Sequence, residues 1–134
     1  MEFGNFMKMY LIAFIVFLAI DALWLGLIAT KFYKTNIGHL MAEKPNFIAA
    51  GIFYLLFIIG VVFFTYQGIA EQNFSKALLA GAVFGFMTYA TYDLTNLATL
   101  KDWPIMVTVV DLLWGTFLSS AMTTATYFIY HAIF

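Results

Sequence analysis

Four apolar runs, each long enough to cross a bilayer as a helix, constrain this chain more than any other feature of its sequence. They lie at about residues 9–30, 46–66, 76–99 and 104–128. A helix rising about 1.5 Å per residue needs roughly 20 residues to cover a ~30 Å hydrocarbon core. Only 10% of the residues are charged, against roughly 25% in soluble domains, so water is not the solvent of most of the chain. The expected fold is all-α, a single integral membrane four-helix bundle with short loops over residues 1–134, with the lipid bilayer as its first partner.

The first run is broken only by Asp21 and is followed by no small-residue cleavage site, so it reads as an uncleaved span and not as a signal peptide. Residues 31–44 gather Lys31, Lys34, His39, Glu43 and Lys44 around Asn36 and Gly38, and read as a polar connection with a short interfacial turn. Pro45 opens the second run, which carries no ionisable group except tyrosine and reads as scaffold. The third begins near Ser75 or Ala77. Its first half is small and apolar, with Gly81 and Gly85 spaced to let another helix backbone come close. In the turn before the fourth run, Asp102 is expected to cap the helix, with Pro104 in its first turn. Lys31, Lys34, Lys44 and Lys101 lie on one side of the bundle and only Lys8 and Lys76 on the other. The positive-inside rule then sets both termini outside the cytoplasm.

Several function classes fall away. A net charge of -1 with no arginine offers nothing to nucleic acid. The absence of cysteine excludes disulfides, thiolate metal sites, iron–sulfur clusters and cysteine nucleophiles. Two histidines, His39 and His131, are too few for a histidine-rich di-iron centre and lie near the ends of the runs. No cofactor is expected.

What remains is three acids inside the helices. An aspartate at the centre of a membrane helix costs roughly 2.5–3.5 kcal/mol on the insertion scale, several times what one leucine returns. Asp21 lies ten residues before Lys31, Asp93 eight before Lys101 and Asp111 ten after it, which places all three about 12–15 Å below one membrane face. Asp21-Ala-Leu-Trp24 and Asp111-Leu-Leu-Trp114 repeat one motif. With tryptophan three residues after the acid, ring and carboxyl share a helix face. On antiparallel helices the two rings would then stand about 9 Å apart along the normal and bracket a ligand. Asp93 has Asn96 one turn on, Tyr89 one turn back and Tyr92 beside it. Crowded carboxylates in a low dielectric cannot all stay ionised without cations, so the cluster is expected to hold a proton, a cationic ligand or a metal ion. An ion, were one held, would use Asp21, Asp93 and Asp111.

The strings YDLTNLATLKDWP and VDLLWG, with DALWLG in the first run, resemble the signature segments of a bacterial membrane-protein family, domain of unknown function 2177, over nearly the whole chain. The resemblance implies a multi-pass, four-helix protein of the bacterial inner membrane and supplies no activity. Three readings of the acids stay open. The first is proton- or cation-coupled binding or transport of a small, partly apolar ligand, with Asp21, Asp93, Asp111, Asn96, Trp24, Trp114, Tyr89 and Tyr92 as the site. As a transporter, so narrow a bundle would work as a homodimer. The second is a membrane-embedded enzyme or accessory subunit acting on lipids, against which stands the lack of a clear nucleophile or cofactor motif. The third is a structural subunit whose aspartates only pack helices.

Overall fold

Backbone amides inside a bilayer must be satisfied within the chain, and long apolar runs meet that demand as helices. A computed structural model describes all 134 residues and contains helices, turns and no strand. Helix α1 (Phe3–Trp24) passes through a π-helical turn (Leu25–Ala29) into α2 (Thr30–Ile37), and a 3₁₀ turn (Gly38–Leu40) ends this first element. Helices α3 (Phe47–Ala70), α4 (Phe74–Thr99) and α5 (Ile105–Ile133) follow. Four elements, Phe3–Leu40, Phe47–Ala70, Phe74–Thr99 and Ile105–Ile133, are long and apolar enough to cross a membrane. The protein is a multi-pass helical membrane bundle.

Most of the expected polar connection at residues 31–44 is therefore helix. Nothing between Trp24 and Ile37 stops the chain, because the one glycine there is tolerated in a π turn and no proline occurs. Thr35 and Asn36, which would favour a loop, turn their side chains back to donate to the carbonyls of Lys31 (2.9 Å) and Phe32 (2.8 Å). At 38 residues this element is about 57 Å long, well beyond a hydrocarbon core.

Asn46 starts α3 by accepting from the Ala49 amide, and Asn73 does the same for α4 through the Lys76 amide. Asp102 does not cap α5. Pro104 occupies the cap position, and the Asp102 carboxylate instead lies 3.7 Å from His39 across the two connections. At the far end, Glu71 pairs with Lys76 at 3.0 Å. Hydrogen bonds from Lys76 and then Gln67 hold the Glu71 carboxyl below its usual range. That contribution is present at neutral pH and lost only as pH falls through the lowered value.

In cross-section the helices form a ring in which α1 touches α3, α3 touches α4, α4 touches α5 and α5 returns to α1. The apolar core fills the half nearest the termini, where Met9 and Phe17 meet Phe57, Ile58, Val61, Ile69, Leu118 and Met122. Leu27, Leu79 and Leu113 point outward, as a bundle solvated by lipid requires. The tightest seam joins α4 to α5. A Cβ on Gly85 would run into the Gly115 carbonyl, and one on Gly81 into Thr123, so the G-x-x-x-G spacing does bring a neighbouring backbone close. The other half of the bundle, toward the α3 and α5 N-termini, holds the buried carboxyl groups of Asp93 and Asp111.

Candidate functional site

Asp93 and Asp111 face each other across the α4–α5 seam. Asp93 is 0% exposed and Asp111 5%, and their carboxyl groups lie within reach of one another. Neither oxygen of Asp93 receives a hydrogen bond from any donor. An ionised carboxylate only accepts, so two such groups side by side bond only if a proton lies between them. Behind the pair, the Trp103 indole donates to Thr108 Oγ1 at 3.1 Å, and Thr108 reaches the backbone carbonyl of Asp93 at 3.4 Å.

Asp111 also accepts from the Tyr33 hydroxyl, a residue that the sequence hides. Each α-helical residue turns about 100°, so Tyr33, twelve residues past Asp21, would stand about 120° away from it on an unbroken α-helix. The π turn adds one residue to a turn and sets everything beyond it back by about 100°, which brings Tyr33 to within about 20° of the direction of Asp21. The Thr30 hydroxyl donates to the Leu25 carbonyl at 2.9 Å and ties the widened turn together. Tyr33→Phe removes one hydrogen bond to a buried carboxyl. It is expected to lower stability by about 1 kcal/mol, measurable as a fall in melting temperature of the detergent-solubilised protein.

The third acid stands apart. Asp21 is half-buried and faces Tyr54 of α3. The two tryptophans explain the separation. Trp24 and Trp114 stack on each other with ring centroids 4.2 Å apart and planes 9° from parallel. Because α1 and α5 run in opposite directions, tryptophans at one level put the acids three residues away on opposite sides of it, about 9 Å apart along the axes. Two expectations are thereby corrected. The three aspartates do not share one depth, and no ligand fits between rings already in contact. Nor do Asp21, Asp93 and Asp111, or any other three acidic or histidine side chains, converge on one point.

A cavity of about 600 Å³ opens against Asp111. Its wall is mainly aromatic, from Tyr33, Phe53, Tyr89, Tyr92 and Trp103, with Ile37, Met41 and Thr88 completing the lining. Tyr89 packs its ring on Gly115, where no side chain could be accommodated, and Tyr92 meets Trp103 edge to face at 5.8 Å. Of the residues proposed from sequence, Asp111, Tyr89 and Tyr92 line this cavity, Asp93 lies directly behind it, and Asp21, Trp24 and Trp114 do not reach it. Asn96 lies beside Tyr92 and gives no hydrogen bond to Asp93, so it does not orient that carboxyl. Tyr33, Phe53 and Trp103 were missed. Trp103 is the residue with a legible signal, an aromatic fixed in a tight turn directly before a helix.

No curated protein and no solved structure matches the chain. One family model does, over residues 6–128, and its span contains the paired carboxyls and every residue of the cavity wall. The chain therefore belongs to domain of unknown function 2177, a family described as predicted membrane proteins.

Proposed function

We propose that this protein binds a small lipophilic cation in the aromatic cavity and releases a proton from the Asp93–Asp111 pair as it does so. The observation that carries the reading is the placement of a carboxyl on an otherwise mainly aromatic and apolar wall, with a second, donorless carboxyl behind it. Tyrosine, tryptophan and phenylalanine rings attract a cation through their faces, and apolar walls favour one with hydrocarbon substituents. The charge of the guest then replaces that of the shared proton, so the buried pair is compensated in both states. The lysines gathered at this end of the bundle support a cavity that opens to the cytoplasm, with both termini outside.

Titration calorimetry with tetraphenylphosphonium tests this in detergent micelles, run in two buffers of different ionisation enthalpy to count protons. One site per chain with proton release is expected. Asp111→Asn should weaken binding roughly 30-fold or more, the usual effect of removing one partner of a buried charge pair. Asp102→Asn, in the exposed turn, should leave it unchanged. Heat no greater than that of empty micelles, or equal affinity in wild type and Asp111→Asn, would refute the assignment.

A further inference from the structure

The outer side of the π turn bears a second feature, independent of the cavity. A groove of about 430 Å³ runs along it, lined by Leu25, Gly26, Leu27 and Ile28 together with Lys31 and Lys34. Nothing lies within 4 Å of where a Gly26 side chain would stand, so the floor is open. Lys31 and Lys34 are exposed and in no ion pair. Between Asp21 and Glu43 the chain carries no acid to neutralise them.

The stacked tryptophans give the depth of this groove. Lys31 and Lys34 follow Trp24 by seven and ten residues, and Ile105 precedes Trp114 by nine. The lysines therefore lie about 10–15 Å above the stack, at the level where α5 begins, about 13 Å above it. This is headgroup depth, while the exposed Leu23, Leu27 and Ile28 below them lie at acyl-chain depth.

We infer that this groove is a binding site for one anionic phospholipid. Its phosphodiester sits between Lys31 and Lys34, and an acyl chain passes over Gly26 along Leu27. The combination of two unpaired cations with a continuous apolar floor fits a lipid and not free phosphate, which would leave the floor bare. The occupant braces the same turn whose inner side sets Tyr33 against Asp111.

The test is lipid retention measured by native mass spectrometry, with melting temperature alongside. Protein in neutral detergent is supplied with phosphatidylglycerol, phosphatidylcholine or glycerol 1-phosphate. One phosphatidylglycerol per chain should be retained and raise the melting temperature, with neither effect from the other two. Each lysine near an anionic headgroup is worth about a fivefold change in binding, so K31Q/K34Q should bind roughly 25-fold more weakly. Gly26→Leu, which fills the floor without changing charge, should also lose the lipid, whereas Lys44→Gln should keep it. Melting in phosphatidylcholine reports whether each variant is folded. Equal retention of both lipids, an effect of glycerol phosphate matching that of phosphatidylglycerol, or equal loss in Lys44→Gln would overturn the inference.

Discussion

Gly85→Leu is expected to leave no folded bundle in detergent, while Gly51→Leu leaves the melting temperature within a few degrees of wild type. Both are helical glycines, so the intrinsic helix propensity favours leucine by a similar amount in each. What differs is the room. A Cβ at Gly51 meets nothing within 4 Å, whereas at Gly85 it drives into the Gly115 carbonyl and the Ser119 side chain. Neither α4 nor α5 can yield there without opening the seam that carries Asp93 and Asp111. Overpacking a close helix contact costs about 3 kcal/mol or more when backbone is in the way, a large part of the stability of a small domain. Size-exclusion profiles and thermal melts of the two variants check this. A Gly85→Leu protein that is monodisperse and melts beside Gly51→Leu would mean that the seam is looser than the approach of Gly85 to the Gly115 carbonyl requires.

The fold and the site differed in how far they could be read from sequence. Span number and helical class follow from run length, and close approach at Gly81 and Gly85 follows from small residues at helical spacing. These are local properties. The acids were found as outliers in an apolar background, but their relative depth depended on where the bundle meets the interface. Residues 101–104 are turn and α5 begins only at Ile105, so counting helical rise from Lys101 put Asp111 level with Asp21, whereas the tryptophan stack separates them. Tyr33 lay out of reach for a related reason. A π turn has no sequence signature comparable to a glycine or proline break, and one extra residue in a turn changes the facing of everything after it.

Asp93→Asn is expected to melt above the wild type by about 1–3 kcal/mol of added stability, and to bind the lipophilic cation without releasing a proton. Asp93 is wholly buried and both of its oxygens lack a donor. An asparagine in the same volume brings an amide N–H to the neighbouring carboxyl of Asp111, so the contact no longer needs a shared proton. Asp111→Asn keeps an oxygen that can accept from Tyr33 and gains an N–H toward Asp93. It is expected to be at least as stable as wild type while losing the cation. Stability rising as binding or coupling falls is the signature of groups held at a cost for function. A packing role predicts the opposite, since removing one partner of a satisfied buried contact destabilises the rest. If both asparagine variants melt well below wild type, the carboxyl pair is cement between α4 and α5 and the proton-coupled reading falls with it.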